Sequence, residues 1–255
     1  MTALAATRGH SPLTRLTLVE ARLFLRQPAT ALSILVLPVA LTIGFGLIPS
    51  FGDPTQDLGG QTGIEYIAAI SIAIIFAVLG LNLLPSILAD NREKGILRRL
   101  RATPVRPQLL LAAQLIIYLI AAVVSTGLVI GVGNLAFDVP LPEQFAGFLL
   151  VFALGMAALL SLGLFVAAVA PSAQAATGIG MGLFFPSMFL AGVYFPRDQM
   201  PSAFQTVSDC TPLGAALQAL RDTWMGDSPR PLHLVIMAAY TLVALLAATR
   251  FFRWE

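Results

Sequence analysis

The chain has 255 residues, of which 57% are apolar and 11% charged, with a mean hydropathy of +0.85. A globular domain carries about 25% charged residues, so a soluble fold is excluded, and disorder is excluded by the same apolar content. Fifteen basic against thirteen acidic residues leave a net charge of +2, too balanced for a dominant basic face, so nucleic acid is not an expected partner.

Several chemistries lack their residues. A single cysteine, Cys210, forms no internal disulfide, and no Cys/His cluster suggests a metal site. The one lysine, Lys94, stands between Glu93 and Gly95 rather than in a phosphate-cradling GK[ST] loop. The chain is therefore not expected to be an enzyme or to hold a cofactor or metal of its own.

The first segment, residues 1–28, carries Arg8, Arg15, Arg22 and Arg26 ahead of the first apolar run and is expected to be retained, not cleaved as a signal peptide. Within it, residues 12–27 read as an amphipathic helix. At 100° per residue Arg15, Arg22 and Arg26 share one arc, while Leu13, Leu16, Leu23 and Phe24 lie opposite. Such a helix lies in the headgroup plane. Glu20 falls among its apolar positions, where it either meets a basic partner or snorkels to water.

A helix crosses the hydrocarbon in about 20 apolar residues, because lipid offers the backbone no partners. The charge-free windows are 27–52, 66–89, 107–137, 144–196 and 231–249. The fourth is too long for one crossing and breaks at the proline-bearing stretch 170–174. Six spans are expected within 29–251: about 29–49, 65–89, 108–133, 146–169, 174–195 and 232–251. This predicts an all-α integral membrane protein with an interfacial N-terminal helix.

Twelve basic residues fall in 1–28, 90–107 and the C-terminal tail, against three in the segments on the other side. By the positive-inside rule both termini are expected to be cytoplasmic. Residues 90–107 are then the only sizeable cytoplasmic loop, with Asp90 to Arg101 expected to form a short helix. Residues 196–231 are the longest external segment. Leu213, Leu217, Leu220 and Trp224 recur there at helical spacing, as in a re-entrant helix that dips into the outer leaflet before the last span or an amphipathic helix packed on the spans.

Away from their ends the expected spans contain no Lys, Arg, Asp or Glu, which argues against an ion-coupled transporter with its own buried relay. The mild polar groups Ser71, Asn82, Gln114, Ser125, Thr126, Ser161, Thr177 and Ser187 are expected to bond between helices. Asn82 and Gln114 are the first candidates to line a substrate path. Glycines at 127, 131, 133, 178, 180 and 182 permit close helix contact or local flexing.

Three segments together resemble the membrane subunits of bacterial ABC exporters, in the six-span class that includes daunorubicin-resistance-type drug exporters and polysaccharide and lipid exporters. They are Leu25-Arg26-Gln27-Pro28 leading to Pro38; the run from Asn91 through Arg92, Glu93, Lys94, Gly95, Leu97 and Leu100 to Thr103-Pro104; and Leu190 to Pro196 with Pro201, Pro212-Leu213 and Arg221. Asn91 stands where that family commonly has an acidic residue, and Ile96 where it commonly has Thr. The resemblance implies a partner ATPase chain that carries ATP and Mg, a second permease chain making a homodimer or heterodimer, and contact with membrane lipids. It further implies that Glu20, Asn91, Arg92, Glu93, Lys94, Gly95, Leu97 and Leu100 couple to the ATPase. Gly192, Phe195, Pro196, Pro201, Pro212, Leu217 and Trp224 would form an outer gate. The implied function is export of hydrophobic or amphiphilic compounds, of the drug-efflux type, from the bacterial cytoplasmic membrane. Export of a lipid or lipid-linked glycan is the alternative within the family, and a non-transporting scaffold the alternative outside it.

Overall fold

A computed structural model describes residues 12–26, 28–52, 61–96 and 107–251. They form an all-α bundle. Among the described residues, five helices are long and apolar enough to cross a membrane. The interfacial helix α1 (Pro12–Arg26) is followed by α2 (Pro28–Gly46) and α3 (Gly63–Glu93). Next come α4 (Pro107–Phe137), α5 (Phe145–Val169) and α6 (Ala173–Ala191). The short α7 (Ser202–Asp209) and α8 (Pro212–Trp224) precede α9 (Pro231–Phe251). Helix α2 has 19 residues, about 28 Å at 1.5 Å per residue, close to the hydrocarbon thickness of about 30 Å.

Local chemistry sets the ends. Helix α3 starts in a capping box, with Glu65 N–H donating to Thr62 Oγ1 (3.2 Å) and Thr62 N–H to the Glu65 carboxylate (3.0 Å). The break expected at 170–174 is a turn at 170–172, after which Ser172 accepts from Ala175 N–H at 3.0 Å to open α6. Two expected boundaries need correction. The span expected over 65–89 runs on to Glu93, so Asp90–Glu93 belong to α3 and not to a separate short helix; the breaker is Gly95, at φ +65°, and residues 97–101 of the expected helix lie outside the described residues. The span expected to reach 195 ends at Ala191, because Gly192 adopts φ +91° and caps α6 in the left-handed region.

Helix α3 is the centre of the bundle. Every residue from Tyr66 to Ala77 is buried, as a helix apolar all round requires. Phe76 meets Phe152 of α5 edge-on at 5.3 Å, and Leu79, Leu84, Leu159 and Leu213 are fully buried around it. Helix α9 lies along α5, and α8 is wedged among α3, α5, α6 and α9.

The middle of α3 departs from α-helical geometry: Val78–Leu83 is a π-helical segment. Pro85 explains it. Leu84 N–H donates to Leu79 O, so Gly80 O would need the N–H of residue 85, which proline lacks. Leu81 O loses its α-helical donor to the same proline. Both carbonyls are pressed against glycines. A Cβ at Gly163 (α5) would meet Gly80 O, and one at Gly180 (α6) would meet Leu81 O, each at under 3.0 Å. Only Cα–H groups can approach that closely. Of the six glycines singled out in the sequence, Gly180 is the one that makes such an approach. Gly133 has ordinary contacts with Val139, and the positions at 127, 131, 178 and 182 face open space.

A second proline is served differently. Pro38 deprives Ile34 O of its donor, and Ser125 Oγ of α4 donates to that carbonyl at 2.6 Å. Thr42 Oγ1 donates to Pro38 O at 3.0 Å and lies 3.4 Å from Ser71 Oγ. Ser71 and Ser125 therefore bond between helices, as lipid-embedded backbone demands.

Candidate functional site: the two ends of α3

At one end of the bundle, called here the basic end, the last turn of α3 holds the α5–α6 turn. Arg92 Nη1 donates to Ala167 O at 3.2 Å, and Nη2 donates to Ala170 O. Glu93 Oε1 accepts from Ala173 N–H at 3.0 Å. The chemistry suits each terminus: the final carbonyls of α5 have no helical donors and take a cation, while the first N–H groups of α6 take an anion. Ala89, Ala170 and Ala176 form a small apolar contact beneath the turn. Lys94 pairs with Asp90 at 2.6 Å, both largely exposed, a contact of little energetic weight. Gly95 N–H donates to Arg92 O at 3.0 Å, and its positive φ with open space around it marks a backbone requirement. Leu97 and Leu100 lie outside the described residues.

Glu20 of α1 turns toward the spans at the same end. With Asn91, Gln114 and Tyr118 it lines a cavity of ≈ 120 Å³. Burial pushes its carboxyl above the usual range, and the Gln114 amide only partly opposes this. The structure does not bring Gln114 and Asn82 together: Gln114 faces α1, whereas Asn82 sits in the π segment beside Gly180 of α6.

The opposite end of α3 meets a polar cluster that sequence reasoning largely missed. Tyr66 Oη donates to Gly192 O at 2.7 Å. The Arg221 guanidinium of α8 stands 4.7 Å from the centre of the Tyr66 ring and donates through Nε to Gln61 Oε1 at 2.9 Å. Arg221 is 8% exposed, so its charge is held by a π-face and amide oxygens. The only sequence signal was an arginine inside an otherwise apolar helical stripe. That stripe is buried throughout: Leu213, Leu217, Leu220 and Trp224 all face the bundle. Trp224 Nε1 donates to Pro140 O at 2.9 Å, and Pro212 opens α8 behind its Thr211 cap. Phe195 is exposed and meets Phe189 edge-on at 6.2 Å. Pro196 and Pro201 begin short helical turns at 197–199 and in α7. The suggested gate residues are thus divided, with Leu217 and Trp224 in the core and Phe195 and Pro201 at the surface.

Asp209 ties this end together. Arg197 holds its carboxylate in a two-pronged pair, one bond at 2.7 Å, and His233 Nε2 lies 3.2 Å away. Burial alone would raise the Asp209 pKa, but Arg197 and then His233 outweigh it and hold it below the ordinary value. Its stabilising effect is therefore complete above about pH 3.9, the unfolded aspartate value, and fades as pH falls through the depressed folded value. Thermal unfolding of the protein and of Asp209→Asn in detergent should differ most near neutrality and converge in strong acid. A gap of constant size from pH 7 to pH 3 would contradict this.

Residues 13–225 match the family model described as ABC-2 type transporter. The chain belongs to that family. Among ABC-2 relatives, nodulation protein J of Rhizobium leguminosarum bv. viciae is 33% identical over 105 residues, 40% of this chain and 40% of that protein. The probable multidrug ABC transporter permease YbhR of Escherichia coli (strain K12) is 23% identical over 181 residues, 70% of this chain and 48% of that protein. The chain thus spans less than half the length of these curated relatives. The ABC-2 match runs from α1 through the end of α8, so it includes both ends of α3 described above.

Proposed function

We propose that this chain is the membrane subunit of an ATP-driven exporter, and that α3 transmits force between its two ends. One observation carries the reading. A single helix of 31 residues, about 46 Å long, ends in the Arg92–Glu93 hold on the α5–α6 turn. It begins at the Tyr66–Gly192–Arg221 cluster. Displacing the basic end moves the turn and α3 together, and the π segment offers a place for their register to change.

The excess of arginine at the basic end supports a cytoplasmic position for that end and for both termini in a bacterial inner membrane. A separate ATPase chain, binding ATP and Mg, would press on Glu20 of α1 and on Asn91 to Gly95. A second permease chain, identical or different, would complete the pathway. The cargo we assign is hydrophobic or amphiphilic, of the drug-efflux kind, since the spans carry no Lys, Arg, Asp or Glu away from their ends. The relative YbhR, a probable multidrug ABC transporter permease, favours the same class. The outer gate would lie around Gly192, Phe195 and α8.

Co-expression with the ATPase encoded nearest to this chain provides the test. The expected result is a stoichiometric complex in mild detergent whose ATP turnover changes with hydrophobic drugs. Lipid-linked glycan in place of drug as the stimulus would move the cargo to the lipid class. A permease that purifies alone from cells containing a folded, active ATPase would favour a scaffold.

A further inference from the structure

The cavity at the basic end has a composition that the coupling role does not require. It lies between α1, α3 and α4 and holds ≈ 120 Å³, where one water needs about 10–15 Å³ by the same measure. Its polar groups are acceptor-rich: the Glu20 carboxylate, Asp90, one of whose oxygens already pairs with Lys94, and the side-chain carbonyls of Asn91 and Gln114, beside the Tyr118 hydroxyl. None of the described lining residues is cationic. Gln114 is 2% exposed, and neither polar atom of its amide has a hydrogen-bond partner within 3.5 Å, the Glu20 carboxyl lying near enough to feel the amide but not to complete that bond. An unsatisfied buried amide costs free energy unless something fills the space before it. The remaining wall is apolar, from Leu23 and Phe24 of α1 and Ile117 of α4. Leu18, Leu23 and Leu25 of α1 are themselves exposed, the pattern of a helix lying at the headgroup level.

We propose that this cavity binds the primary ammonium group of an amphiphile. Three N–H donors on one cationic nitrogen match the Glu20 carboxylate, the Gln114 side-chain carbonyl and a further oxygen from Asp90 or Asn91. The first carbons of the tail lie against Leu23, Phe24 and Ile117. An anionic headgroup is repelled by Glu20. A trimethylammonium group keeps the charge but has no N–H for Gln114. Two sources share the chemistry, an aminophospholipid of the bilayer and a soluble cationic amphiphile. The inference does not depend on an ATPase partner, because binding is read on the permease chain alone.

The test uses the purified full chain in nanodiscs. Native mass spectrometry reads retention of phosphatidylethanolamine against phosphatidylcholine and phosphatidylglycerol, and equilibrium binding reads radiolabelled dodecylamine against dodecyltrimethylammonium. Retention of phosphatidylethanolamine alone assigns the site to a bilayer lipid, binding of dodecylamine alone to a soluble amine, and both to the shared headgroup. In each case Glu20→Gln should weaken binding by about tenfold or more, the scale of one charge-assisted hydrogen bond. Leu23→Trp, which fills the cavity from an exposed helix position without touching the charge, should do the same. Equal binding of the trimethylated probes would overturn the proposal. So would indifference to both substitutions in chains of unchanged helicity, or no binding of either amine.

Discussion

Gly163→Ala should destabilise the folded chain by about 1–3 kcal/mol, the range for forced overpacking of a close-packed core. The added methyl would stand under 3.0 Å from Gly80 O, and a backbone carbonyl inside a helix cannot swing aside as a side chain can. Helices α3 and α5 would have to separate along the stretch where Leu79, Leu84 and Leu159 pack. Gly180→Ala strikes Leu81 O in the same way and should cost a similar amount. Gly178→Ala, where nothing lies within 4 Å, should change stability by less than about 0.5 kcal/mol. Unfolding of the three variants by SDS titration in mixed micelles measures the contrast. Equal stability of Gly163→Ala and Gly178→Ala would mean that the π segment does not bring these backbones together.

The second large effect concerns the hold on the α5–α6 turn. Glu93→Ala removes the acceptor for Ala173 N–H and should cost about 0.5–2 kcal/mol, as for a lost N-terminal cap. Amide exchange at residues 173–176 should speed up by roughly tenfold, with α8 and α9 unaffected. Arg92→Ala strips the donors from Ala167 O and Ala170 O and should loosen the same turn from the α5 side. Glu93→Gln separates structure from coupling, because its amide oxygen still accepts from Ala173 while the charge is gone. If Glu93 also meets the ATPase, Glu93→Gln should keep the turn protected yet lower drug-stimulated turnover by about tenfold or more. Unchanged coupling in Glu93→Gln together with lost coupling in Glu93→Ala would confine the residue to holding the turn.

The same pair illustrates what a sequence can convey. The run Arg92-Glu93-x-Gly95 was legible as a special feature, because acid, base and glycine in that order exceed what a lipid-facing basic loop needs. Its actual partners were not legible. Ala167, Ala170 and Ala173 contribute only backbone groups to it, and a carbonyl or N–H leaves no mark on residue identity. Glu20 was legible as an anomaly on an apolar face, whereas the cavity before it depends on Gln114, which lies 94 positions later and was legible as a substrate-path candidate but not as a neighbour of Glu20. Arg221 was counted among external arginines, and only the packing of α8 against α3 makes it a buried cation over Tyr66.

What the sequence determined by itself follows from the bilayer as solvent. Charge-free apolar runs must become helices, because backbone groups in hydrocarbon have no other partners, and arginines must lie beyond their ends. The helical class and the turn at 170–172 follow from that constraint, whereas residues 91–95 stand out because they carry more than it requires, and the burial of the α8 stripe among α3, α5, α6 and α9 was decided by packing. The tertiary structure alone decided which backbones touch. Pro85 creates unsatisfied carbonyls wherever it stands in a helix, but only the approach of α5 and α6 determines that Gly163 and Gly180 meet them. Hydrophobicity is non-directional and sets how much surface is buried; hydrogen bonds and van der Waals contact are short-ranged and decide against which neighbour.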